Sequence, residues 1–407
     1  MVIPPILDVF VVWHPDDVKG EEVCTWLEQH FHSPAFAGLA GGAVEVYARS
    51  TGWGTEEGPP RPLGIESRLA GVLPAAQFNV IVPVLGANLM RAVEDDPEWH
   101  SYMANLVELD GNNDTGVYPV RIPPANVTGK LAQLVSPLQA LAEESIDDAA
   151  VLARELCQAI TQRVSTAANG EPGRVRVFIS HTKHFSLEEP GAERGPALFE
   201  EVRKQIENTR LASFFDAQDL QAGSLWEIEL DRNAAACALL MVRTDKYSGR
   251  EWTQREVLVA KRAGVPIVGM YAFTAGEERG SFLMDHVPSV PCDAENPLPG
   301  IQTALNRLVD EALKRTLWEA QSVYLKENGF DWLPVHAPEP VTLAPWLAEH
   351  KQAEPEDPHV WIIHPDPPLG PRERDVVVEL CALAGFTDNV DVLTPRTFAA
   401  RGGRVAL

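Results

Sequence analysis

Apolar positions along the chain follow two periods. Short runs rich in Val, Ile and Leu include LDVFVV at 7–12, NVIVPVL at 79–85, VRVFIS at 175–180, CALLMV at 237–242 and VWII at 360–363. These are strand-length stretches, and near-continuous apolar runs of this kind suit central strands covered on both faces. Between them, apolar residues recur at helical spacing: Val23, Trp26, Leu27 and Phe31; Leu152, Leu156, Ile160 and Val164; Leu198, Phe199, Val202 and Ile206; Ile301, Leu305, Leu308, Val309, Leu313 and Leu317. Strand and helix periods that alternate predict βα units on parallel sheets, an α/β fold class.

The order of these runs repeats. LDVFVVWHPDD parallels VRVFISHTKHF, NVIVPVLGANLM parallels ALLMVRTDKYSG, PEWHSYMANLVEL parallels REWTQREVLVAKR, and GVYPVRIPP echoes GVPIVGMYAF. TAANGEPG at 166–173 is a polar, Gly/Pro-containing boundary. The predicted organisation is a first domain over 1–168, a second over 169–323, a proline-rich acidic linker over 324–358 and a strand–helix–strand half-repeat over 359–407. Such a fragment cannot close a sheet by itself and must pack on another part of the molecule or a second subunit.

Composition narrows the functional classes. With 407 residues and 45% hydrophobic content there is material for more than one core. The net charge of -24 argues against binding nucleic acid by counterion release and against anionic membranes. Five scattered cysteines without a C-x-x-C pair fit a reducing cytoplasm rather than a disulfide framework. The apolar start lacks a basic leader region, and no run reaches the ~20 apolar residues that span a bilayer, so a cytoplasmic location is expected. HPDD at 14–17 and HPDP at 364–367 have no downstream His/Asp set at ligand spacing, so no metal site is expected.

The candidate chemistry lies in the second repeat. Trp252 and Glu256 stand four apart on the predicted helix Glu251–Arg262 and so share a face. Ser180 and His181 end the first strand, where open α/β sheets bind ligands. Ser180 could equally cap the turn, and His181 could equally pack. FISH at 178–181, FFDAQDLQAGSLW at 214–226 and the Tyr247-Ser248-x-x-Glu251-Trp252-x-x-x-Glu256 pattern together resemble a Toll/interleukin-1 receptor (TIR) domain of the NAD-cleaving bacterial type. The resemblance covers roughly 174–290.

It implies tandem flavodoxin-like TIR domains with central parallel sheets flanked by helices, and Glu256 as catalytic residue. Ser180, His181, Asp216 and Trp252 are then the expected substrate-binding positions. It also implies NAD+ as substrate rather than a resident cofactor, and self-association or other TIR domains as partners. The loop from Asp216 to Ser224 would reach a neighbouring domain. Cleavage of the nicotinamide–ribose bond passes through an oxocarbenium-like sugar, which one carboxylate can stabilise. In the first repeat Trp99 matches Trp252, but Met103 stands where Glu256 should be. That domain is therefore expected to be a degenerate copy. By the same resemblance the protein would serve antiphage defence or signalling; the alternative is a non-catalytic TIR scaffold. The excised stretch 174–323 is expected to be soluble but poorly active.

Overall fold

In the computed structural model the described residues are 6–36, 44–51, 58–63, 65, 67–68, 73–74, 76–111, 114–123, 126–142, 146–169, 175–182, 194–213, 237–327, 339–353, 360–364, 368–386, 390–394 and 397–398. The α/β fold with parallel sheets between helices is as expected. The first domain runs β1 (Leu7–Val12), α1 (Val18–Phe31), β2 (Val44–Arg49), the small antiparallel pair β3 (Ser67–Arg68) and β4 (Leu73–Pro74), β5 (Phe78–Leu85), α2 (Ala87–Asp95), α3 (Pro97–Glu108), β6 (Thr115–Val117), β7 (Val120–Arg121), α4 (Gly129–Val135) and α5 (Ala149–Asn169). Its sheet has the order β2-β1-β5-β6, all parallel, with β7 pairing farther along β5.

The second domain comprises β8 (Arg176–Ser180), α6 (Arg194–Glu207), β9 (Ala212–Ser213), β10 (Cys237–Arg243), α7 (Glu251–Arg262), β11 (Ile267–Tyr271), β12 (Ser289–Pro291) and α8 (Leu298–Glu327). Its parallel sheet runs β9-β8-β10-β11-β12. Counted within the domain this is 2-1-3-4-5, the flavodoxin-like order. Strand alternation sorts the side chains. Val177, Leu240, Val242 and Val268 face one way, with Leu198, Phe199 and Val202 of α6, while Phe178, Leu239 and Met241 face the other, with Val257 and Ala260 of α7.

The two domains are less separate than the 166–173 boundary suggested. One continuous core joins the inner face of the first sheet (Val9, Val11, Val82), α1, α5, α8, α6 and the inner face of the second sheet. α5 and α8 lie side by side at its centre. Both sheets therefore share a helical layer, and α8 is buried on several sides.

The third unit departs from the expected linker plus fragment. α8 continues to Glu327, and a further helix, α9 (Pro340–Ala353), falls inside 324–358. Leu343 and Leu347, one turn apart, give α9 an apolar face that outweighs the local proline content. β13 (Val360–Ile363) and β14 (Val390–Leu393) pair in parallel around α10 (Pro371–Leu383). The fragment closes against its own chain: Ile363, Leu393 and Phe398 pack on Trp318 and Leu325 of α8, while Ile362 packs with α9 and α10. Lys261 at the end of α7 donates to Glu339 Oε2 at 2.9 Å, just before α9. Beside this pair lies a cavity of about 530 Å³, lined by residues of α7, α8, α9 and α10. Among the described residues no helix is long and apolar enough to cross a membrane.

Candidate active site

The strand order creates the crevice. The chain leaves β8 towards α6 on the inner face, and leaves β10 towards α7 on the outer face. Ligands of open α/β sheets bind outside the carboxyl ends of strands at such a switch point. Ser180, the last residue of β8, pairs in register with Met241 of β10. Tyr247 follows β10, and Glu256 sits in the second turn of α7. A helical side chain leans toward its N-terminus, so Glu256 reaches back to the strand ends.

There Ser180 Oγ donates to Glu256 Oε2, and Tyr247 OH lies 2.5 Å from Ser180 Oγ. Serine has one proton to give, so the run reads Tyr247 O–H to Ser180 Oγ–H to the carboxylate. Burial, then the adjacent Glu256 charge, push the Tyr247 hydroxyl well above its ordinary range, which keeps it a donor. The loop that carries Tyr247 is fixed from several sides. Asp245 accepts from the backbone N–H groups of Thr274 and Ala275 at 2.9 and 3.0 Å, Ser248 Oγ donates to the Arg279 carbonyl, and Thr253 Oγ1 donates to the Tyr247 carbonyl at 2.7 Å.

Glu256 is 2% exposed, which the shared helix face with Trp252 did not by itself foretell. Its Oε1 has no hydrogen-bond partner among the described residues. Burial pushes its pKa up to about 7, while Ser180 and then Trp252 oppose the rise by favouring the charged form. Trp252, one turn earlier and half-buried, shares this face, although it closes no hydrogen bond to Oε1. A buried carboxyl with one orphan acceptor and a pKa near neutrality is a poor stabiliser of the fold and a suitable group for meeting a ligand.

Other expected residues fare differently. His181 lies beside Ser180, but its ring stacks on Phe199 of α6 at 4.2 Å and 20°, a packing role. Thr182 and Thr244 join the ends of β8 and β10 through hydroxyls 3.0 Å apart. Asp216 and the rest of the 214–226 loop lie outside the described residues. Asp17 of HPDD accepts from the backbone N–H groups of Asn88 and Leu89 at 3.0 and 2.9 Å, capping α2. Tyr247 is the residue sequence reasoning passed over. It stood inside the quoted pattern, and only the fold shows that it closes on Ser180.

The first domain supplies an internal control. By strand register, Val12 occupies the position of Ser180, and Leu89 that of Tyr247, six residues past the strand partners Pro83 and Met241. Met103 stands for Glu256. All three are fully buried in one apolar cluster with Trp99. The same framework thus closes without polar groups here, so packing does not demand Ser180, Tyr247 and Glu256 in the second domain. Met103→Ala is expected to cost about 2–5 kcal/mol, read as a lower thermal midpoint. Turnover per folded molecule should stay unchanged. For the second domain, Ser180→Ala removes the donor that favours the Glu256 carboxylate. Any pH–rate limb that reports Glu256 should then move to higher pH; an unmoved limb would detach Ser180 from its ionisation.

No protein-family model matches the chain, and none of the curated proteins matches it. Among solved structures, the C-terminal domain of glucosamine-fructose-6-phosphate aminotransferase from Francisella tularensis aligns at 11% identity over 79% of this chain and 86% of that one, with a TM-score of 0.17. A likeness that low carries no argument about fold or activity.

Proposed function

We propose that the second domain is an NAD+ glycohydrolase that releases nicotinamide and ADP-ribose, or a cyclised form of it. The observation that supports this most is the buried Glu256 carboxyl at the switch point, held through one oxygen by Ser180, which Tyr247 backs in turn, and carrying on the other an acceptor with no partner among the described residues. Nicotinamide is a neutral leaving group once the glycosidic bond breaks, so a general acid is unnecessary. A single carboxylate can accept from the ribose hydroxyls and stabilise the oxocarbenium-like sugar. A pKa of about 7 leaves roughly half of Glu256 ionised at neutral pH. The positively charged nicotinamide ring entering beside it would favour the charged form further. Trp252, on the same helix face, offers an aromatic surface to that ring.

The rival reading, a TIR scaffold without catalysis, treats Glu256 as a surface residue available to partners. Its burial weighs against that use. The first domain, with Val12, Leu89 and Met103 in place of the polar set, fits an assembly or support role instead.

The test is incubation of the full chain with NAD+ across a wide range of protein concentration, with chromatography of products and sedimentation in parallel. Nicotinamide release is expected, and specific activity that climbs with self-association would implicate a neighbour's loop. Zero release in every oligomeric state would favour the scaffold.

A further inference from the structure

A second polar cluster lies away from this site, in the shared helical layer. His30 near the end of α1, Cys157 in the middle of α5 and Asp310 in α8 converge there. His30 Nε2 lies 3.1 Å from Asp310 Oδ1 and 3.5 Å from Cys157 Sγ, and the three ligand atoms all fall within 4.8 Å of one another. Cys157 and Asp310 are buried, and His30 is partly exposed. Phe31 and Phe36 flank the imidazole at 5.2 and 5.3 Å and fix its plane.

We propose that His30, Cys157 and Asp310 form a zinc site that staples the first domain to the second. Zinc takes thiolate, imidazole and carboxylate ligands at roughly 2.0–2.3 Å in tetrahedral array. Such an array sets neighbouring ligand atoms about 3.3–3.6 Å apart, close to the 3.1 and 3.5 Å seen here. One imidazole nitrogen faces both the sulfur and the carboxylate oxygen, so a single ion placed among them would meet all three ligand atoms. The mixed soft and hard donor set suits zinc better than magnesium or calcium, which prefer oxygen ligands alone. With three protein ligands, a water would complete the tetrahedron.

Binding breaks the Cys157 S–H bond, forms a Zn–S bond and releases one proton to solvent. No sequence motif announces this set, because His30 is 127 residues from Cys157 and 280 from Asp310. Short-range ligand spacing, which spoke against a metal, does not see ligands gathered from three helices.

The experiment uses the full chain, stripped with a chelator and titrated with cobalt(II). A near-ultraviolet thiolate-to-cobalt charge-transfer band is expected, abolished by stoichiometric zinc and untouched by magnesium. Zinc should also raise the thermal midpoint, and the rise should grow with the logarithm of its free concentration. Cys157→Ser, nearly isosteric, should lose the band. Asp310→Asn, which keeps hydrogen bonding, should weaken zinc at least about 10-fold. No cobalt band, or an equal band in Cys157→Ser, overturns the proposal: the first leaves a hydrogen-bonded triad, and the second places the ion elsewhere. Neither result bears on Glu256 or on NAD+ cleavage.

Discussion

Glu256→Gln is expected to reduce NAD+ cleavage by about 10²-fold or more while leaving the chain folded. Glutamine can still accept from Ser180 through its carbonyl, but it carries no charge for the oxocarbenium-like sugar. Stability should change in a characteristic way. The folded Glu256 holds its proton up to about pH 7, against an ordinary 4.5. Because the folded pKa is the higher one, the folded state binds more protons between these values, and stability falls as pH rises through the window. The favourable balance is complete below about pH 4.5 and lost above about 7, a swing of about 3 kcal/mol. Glutamine removes this slope, so the variant should match the parent at low pH and exceed its thermal midpoint at pH 8. Full turnover in the variant would end the assignment of Glu256. An unchanged stability profile would show that its carboxyl is not buried as described.

Excising residues 170–327 should yield an aggregated or molten product rather than a folded, weakly active domain. The shared core alters the solubility expected from the sequence. α8 would lose α5 on one side, and the third unit's packing on Trp318 and Leu325 on another. Each large apolar side chain left in water forfeits about 1.5–3 kcal/mol, and several of them together rival the ~5–15 kcal/mol that holds a typical domain. Residues 1–169 supplied as a second chain should restore solubility, and the intact protein should melt cooperatively across both sheets. A soluble fragment with a sharp thermal transition would mean that the helical layer is an interface between independent domains.

The parallel strands and the flanking helices were legible because both faces of each sheet are covered, which leaves continuous Val/Ile/Leu runs in the sequence. The repeat of those runs located β1 with β8 and α3 with α7. The shared core was not legible, since the apolar stripe of α5 looks alike whether it closes its own domain or meets α8. α9 was hidden by Pro340 and Pro345, residues that read as linker until Leu343 and Leu347 find a surface. That Ser180 and Glu256 come together at the strand ends was legible from type and place. The burial of Glu256 was not, because a glutamate flanked by Arg255 looks like a solvated helix face. Tyr247 closes on Ser180 across 67 residues of chain, and no local spacing encodes that contact.

The apolar cluster of Val12, Leu89 and Met103 makes the divergence of the two halves hard to reverse. A glutamate restored at position 103 alone would enter a pocket with no serine or tyrosine to meet it. The lone buried charge would cost several kcal/mol or be neutralised by taking up a proton. A serine at 12 or a tyrosine at 89, introduced singly, would bring an unpaired hydroxyl or excess volume into a closed core. Each first step back toward the polar triad is thus uphill, and only a joint replacement is tolerable. The chemical difference between the two clusters is, in this sense, a ratchet held by packing.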